Sequence, residues 1–77
     1  MTQTQLATPT IALTLNGERR EMTDGLTLGR LLRELELDPQ LIVVERNREI
    51  LRDRAAYDGL ALADGDVLEL VHFVGGG

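Results

Sequence analysis

A chain of 77 residues with a formal net charge of -5 and 43% hydrophobic residues supports one small domain around one core. It has no cysteine and a single histidine, His72, which excludes disulfides, thiolate metal sites, a cysteine nucleophile and a metal centre built from several histidines. The acidic balance repels phosphate backbones and anionic membrane surfaces, so neither nucleic acid nor membrane is an expected partner. A basic protein surface is the natural counterpart, although the same charge also keeps a small protein soluble.

The only aromatics are Tyr57 and Phe73, so the core must be aliphatic. Met1 to Pro9 carries neither a basic stretch nor an apolar run. It reads as a flexible leader rather than a signal peptide, and a cytoplasmic location is expected. The domain proper is expected over residues 10–74, with 75–77 as a flexible glycine tail.

Ile11, Leu13 and Leu15 alternate with Ala12 and Thr14, the pattern of a half-buried strand. Asn16-Gly17 is the strongest two-residue hairpin signal, and it sets Leu15 opposite Glu18, Leu13 opposite Arg20 and Ile11 opposite Met22. The returning strand, Glu18 to Met22, is polar and belongs near an edge. After the Thr23-Asp24-Gly25 turn, Thr27 caps a helix whose Leu28, Leu31, Leu32 and Leu35 share one face. Leu26 and Leu31 are spaced as a hydrophobic staple across that cap. Gly29 weakens the helix by about 1 kcal/mol relative to alanine, and its small size would let the helix approach the sheet closely. Asp38-Pro39 ends the helical region.

Leu41 to Val44 is an apolar run of the kind buried on both faces of a sheet. A turn is expected over Glu45 to Arg48, then a short strand over Glu49 to Leu51 and an irregular stretch from Arg52 to Leu62. Asp64-Gly65-Asp66 reads as a turn and Val67 to Val74 as the last strand. Hairpin, helix, strands and last strand in this order make an α+β fold, a mixed four- to five-stranded sheet with one main helix packed across it. With the first strand central, the last can lie beside it in parallel.

Few of these residues can do chemistry. The thirteen Asp and Glu residues sit in turns or at alternating strand positions, where solvated surface is the ordinary outcome. Asp64-Gly65-Asp66 lacks the further acidic ligands of a calcium loop. His72 has no Ser or Cys partner in the pattern. A nucleophile elbow, a phosphate loop and a dinucleotide fingerprint are all absent. The exception is the ending Val74-Gly75-Gly76-Gly77. Three glycines that lead to no turn can thread a narrow channel and present an unhindered carboxylate.

Across Ile11 to Gly77 the pattern resembles the ubiquitin-like β-grasp sulfur carriers, most closely the ThiS family of thiamine biosynthesis. The resemblance is carried by Leu15-Asn16-Gly17-Glu18, by Leu26-Thr27-Leu28-Gly29-Arg30-Leu31-Leu32 and by Val43-Val44-Glu45-Arg46-Asn47-Arg48-Glu49-Ile50. Leu62-Ala63-Asp64-Gly65-Asp66-Val67-Leu68-Glu69-Leu70 and Val71-His72-Phe73-Val74-Gly75-Gly76-Gly77 complete it. The family's minimal ending is Gly-Gly; here Gly76 and Gly77 match it and Gly75 adds slack.

The resemblance implies a protein co-substrate with no catalytic residues and no metal or cofactor of its own. An E1-like adenylyltransferase would use ATP and Mg²⁺ to join AMP to the Gly77 carboxylate, with Gly75 and Gly76 threading into the partner's site. Sulfur from a cysteine desulfurase would replace AMP, and thiazole synthase would take it from the resulting thiocarboxylate. Period two along the last strand turns Leu68 and Leu70 toward the helix and Glu69, Val71 and Phe73 away from it. Val71 and Phe73 would then either anchor partners or cover core at the sheet end.

Three other outcomes share the pattern: the small subunit of molybdopterin synthase, a carrier for tRNA thiolation or protein conjugation, and a binding-only β-grasp module. The molybdopterin group favours a Pro-Pro pair before its Gly-Gly, and Val71-His72-Phe73-Val74 holds no proline. All eight basic residues are arginine. Genome base composition accounts for this, and so does the advantage of keeping amines away from an activated acyl group.

Overall fold

The computed structural model describes residues 9–73. The leader apart from Pro9, and the end of the chain from Val74 to Gly77, lie outside the described residues. The described chain forms five strands and one α-helix: β1 Thr10–Leu15, β2 Glu18–Thr23, α1 Leu28–Glu34, β3 Ile42–Arg46, β4 Glu49–Leu51 and β5 Val67–His72. The sheet order is β2-β1-β5-β3-β4, with β1 and β5 parallel and the other pairs antiparallel.

The first hairpin follows the expected register, Leu15 opposite Glu18 through Ile11 opposite Met22. Asn16 and Gly17 take φ of 49° and 82°, as a twisted two-residue turn requires. Asn47 and Arg48, at 51° and 72°, make a second turn of the same kind between β3 and β4. The turn is therefore two residues long, and Glu45 and Arg46 belong to β3.

The helix begins as expected. The Arg30 N–H donates to Thr27 Oγ1 at 3.2 Å, and Leu26 and Leu31 are both buried. Its end falls earlier than Asp38-Pro39. Leu37 N–H donates to the Leu32 carbonyl and Glu36 N–H to that of Arg33, a Schellman closure with Glu36 at φ 59°. Leu28, Leu31 and Leu32 sit at zero exposure against Leu13, Ile42, Val44 and Leu68 from the sheet. Tyr57 completes the core from a 3₁₀ segment, Arg54–Gly59, within the stretch expected to be irregular.

Three expectations are corrected. Leu41 is 52% exposed and ends a short 3₁₀ turn, Pro39–Leu41, because Pro39 and the Asp38 cap bend the chain there before β3 starts. The β3 run is covered on one face only: Ile42 and Val44 are buried, while Val43 is half-buried on the side without a helix. Among the described residues β5 ends at His72, with Phe73 just beyond it.

Gly29 also has a different neighbour from the one expected. A Cβ there would overlap the Asp58 carboxylate and come within 2.9 Å of the Asp58 Cα, so the close approach is to the 3₁₀ segment rather than to the sheet. Gly29→Ala gains about 1 kcal/mol of helix propensity. Overpacking against backbone costs about 1–3 kcal/mol. A net loss on the order of 1 kcal/mol is expected in urea unfolding, and a more stable variant would contradict this packing.

Candidate functional site

The end of the sheet from which the chain leaves toward its C-terminus is built by β5 and its neighbours. Leu68 is fully buried and Leu70 packs against the core, so alternation sends Val67, Glu69, Val71 and Phe73 to the open face. Val71 is 57% exposed and Phe73 50%, too open to be covering core at the sheet end. Val43, opposite Val71, and Ile50, opposite Glu45, extend the same face across β3 and β4. The result is a partly apolar surface that the helix leaves uncovered.

This surface is held in place mainly through backbone groups of β5. Parallel pairing with β1 covers only Val67 and Leu68. Beyond that the Asn16 side chain takes over, accepting from Leu70 N–H at 2.7 Å and donating to the Leu70 carbonyl at 3.2 Å. On the other side β3 pairs with Leu68 through His72, and Phe73 N–H donates to the Leu41 carbonyl at 2.9 Å. The strand thus keeps partners on both edges up to Leu70, and on the β3 side as far as Phe73.

Both carboxylates of the Asp64-Gly65-Asp66 turn are spent on structure. Asp64 Oδ1 accepts from Ala12 N–H at 2.7 Å, so the turn caps an edge of β1. Asp66, only 5% exposed, accepts from Arg46 Nε at 2.9 Å, Asn47 Nδ2 at 3.0 Å and Ala63 N–H at 2.8 Å. Burial alone would raise its carboxyl pKa. The Ala63, Asn47 and Arg46 hydrogen bonds, with the Arg46 charge, outweigh burial and hold it below 3.8. Among the described residues no group of three or more His, Asp or Glu is placed to share a metal ion.

His72 is exposed and lines an open groove on the helix side with Arg20, Leu35, Leu37 and Leu70. Nothing in that groove is placed as a nucleophile beside it. The calls on Gly75, Gly76 and Gly77 lie outside the described residues. Sequence reasoning missed Asn16 as a clamp and Asp66 as the centre of a buried network. The Asn16-Gly17 and Asp-Gly-Asp motifs signalled turns, but no local signal pairs Asn16 with Leu70 or Asp66 with Arg46. No helix among the described residues is long and apolar enough to cross a membrane.

Comparison with known proteins decides the family. The ThiS family model matches residues 13–77. The chain belongs to the ThiS family. It is 42% identical over 66 residues to the sulfur carrier protein ThiS of Bacillus subtilis, covering 84% of this chain and 98% of that one. A stretch of a thiazole synthase from Paramagnetospirillum magneticum is 45% identical over 65 residues, 84% of this chain but 20% of that protein. The chain thus spans about a fifth of the length of the thiazole synthases it matches. The crystal structure of the ThiS thiamine biosynthesis protein from Geobacter metallireducens superposes with a TM-score of 0.73 at 34% identity, covering 87% of this chain and all of that one. The ThiS-family match accords with the ubiquitin-like β-grasp expected from the sequence.

Proposed function

We propose that this protein is a sulfur carrier of thiamine biosynthesis, a co-substrate whose Gly77 carboxylate is activated and thiolated by partner enzymes. The observation that carries this is the family match running to the last glycine, residues 13–77. The described residues fit a carrier: the Asp64 and Asp66 carboxylates are taken up by a strand cap and an ion pair, and His72 lies in an open groove with no nucleophile beside it.

The chemistry follows from the carboxylate. A carboxylate is a poor acyl donor, so an adenylating enzyme supplies ATP and Mg²⁺. The Gly77 oxygen attacks the α-phosphorus, pyrophosphate leaves, and AMP becomes the leaving group. Persulfide sulfur from a cysteine desulfurase, reduced to hydrosulfide by a thiol that is itself oxidised to a disulfide, displaces AMP and leaves a thiocarboxylate. Thiazole synthase is the acceptor. That reading is supported by the thiazole synthases that contain a stretch like this chain within their own polypeptide. All of this is cytoplasmic chemistry.

Val71 and Phe73 are the docking residues in this reading, with Val43, Val67 and Ile50 around them on the open face. Glu45 and Glu69 stand directly opposite each other within that face, and no described salt bridge reaches either. Like charges so placed are unfavourable in the free sheet, which suits a partner surface that brings arginine or lysine.

The test is intact-mass analysis after incubation with the adenylating enzyme of the same organism, ATP, Mg²⁺ and sulfide. An adenylate and then the exchange of one oxygen for sulfur at Gly77 are expected. If neither species forms, the carrier reading is wrong and the inert binding module takes its place.

A further inference from the structure

β4 is short, and its pairing with β3 reaches only Val44 to Arg46. The outer edge of β3 at Ile42 therefore has no strand beside it, and the carbonyls there need other donors. Arg54 supplies them from the 3₁₀ segment. Its Nε donates to the Pro39 carbonyl at 2.7 Å and one terminal nitrogen donates to the Ile42 carbonyl at 3.1 Å.

Two bonds from one edge of a planar guanidinium fix the plane of the group, and a fixed plane offers a face for stacking. The guanidinium carbon lies over the Phe73 ring, 5.9 Å from its centroid, at the outer end of cation–π range. Phe73 is the last described residue, beyond the final β3–β5 register pair, Ile42 opposite His72. Its backbone is held by the bond to the Leu41 carbonyl. The start of β3 is thus gripped by Arg54 on one edge and by Phe73 on the other, and the Arg54 guanidinium lies within cation–π range of the Phe73 ring.

We propose that Arg54 is a positioning residue that fixes the root of the C-terminal tail, so that a partner docked on the sheet face receives the Gly77 carboxylate from a set starting point. The proposal deepens the carrier reading and rests on it. With Phe73 anchored, four residues separate a fixed backbone position from the reacting carboxylate. Lysine cannot replace Arg54, because its ammonium lacks the planar fork that spans the Pro39 and Ile42 carbonyls and the delocalised face turned to Phe73.

The test uses Arg54→Lys and Arg54→Ala in the full chain. Amide exchange is measured at Phe73 and at the core amides of Leu13 and Leu68. Adenylation kinetics are followed by pyrophosphate exchange with the adenylating enzyme. In Arg54→Lys, Phe73 N–H exchange is expected to rise by about tenfold or more while the core amides keep their protection. The kcat for adenylation falls by about tenfold, because the carboxylate is presented from a looser base. KM stays within about twofold, because the docking face is intact. Unchanged Phe73 exchange and unchanged kcat in both variants would overturn the proposal and leave Arg54 as a strap for β3 alone. A wild-type chain that is never adenylated overturns the activation of Gly77 instead, and the Phe73 amide then decides whether Arg54 holds the root.

Discussion

Removing Gly77 is expected to lower adenylation by on the order of 100-fold, and removing both Gly76 and Gly77 to abolish it. The single truncation is informative because the chain still ends in two glycines, Gly75-Gly76. Residue type at the end is then preserved, and only reach changes. One extended residue spans about 3.3–3.6 Å. A displacement of about 1 Å at a reacting centre is enough for a large loss of rate. The fold should not respond, because the last described backbone contact toward the C-terminus is Phe73 N–H on Leu41, four residues earlier. Urea unfolding of both truncated chains is expected to agree with wild type within about 0.5 kcal/mol. Intact mass and pyrophosphate exchange read the activity, and growth of a thiamine auxotroph lacking its own carrier reads the pathway. Normal adenylation of the double truncation would overturn the requirement for the reach that Gly76 and Gly77 provide.

The sequence carried the framework well where a local rule controls the outcome. The Asn16-Gly17 turn dictated the hairpin register, and the Thr27 cap with its leucine stripe dictated the helix. Parallel pairing of β5 with β1 is open to the sequence once β1 is taken as central, and it is what the sheet has. Errors arose where long-range partners decide. Leu41 to Val44 looks doubly buried because periodicity counts apolar residues and cannot know that only one layer covers the sheet. Gly29 was rightly singled out, but its neighbour comes from Asp58, 29 residues along the chain, and no spacing rule points there. The Arg52 to Leu62 stretch has weak periodicity, yet it delivers Tyr57 to the core and Arg54 to β3. At the site, alternation along β5 correctly turned Val71 and Phe73 outward, since period two is local. The supports of β5 from Asn16 and Asp66 are side-chain bonds across 54 and 20 residues, and such bonds leave no local trace.

Asp66→Ala is expected to cost about 3–5 kcal/mol, the range for removing one partner of a buried ion pair. The reason is what remains behind. Arg46, whose side chain is 22% exposed, would keep its charge without its 2.8 Å carboxylate partner. Asn47 Nδ2 and Ala63 N–H would lose their acceptor as well. A core of this size supplies only about 3–5 kcal/mol in all, so the variant should be largely unfolded. Asp66→Asn separates charge from shape, since an amide oxygen can still accept from part of the network while losing the pairing with Arg46. It should fold with an intermediate urea midpoint.

The pH dependence gives the same result from another direction. The folded carboxyl titrates below its ordinary value of 3.8, so its contribution is present above that value and is lost as pH falls through the folded one. The stability gap between wild type and Asp66→Asn should be flat from neutral pH down to about 5 and narrow below about 4. A gap that widens on acidification would mean that Asp66 is not held ionised by its hydrogen bonds from Ala63, Asn47 and Arg46 and by the Arg46 charge. The consequence reaches the site, because Asn47 also donates its backbone N–H to the Val67 carbonyl and accepts from Val67 N–H. Asp66 thereby fixes the beginning of the strand whose far end leads to Gly77.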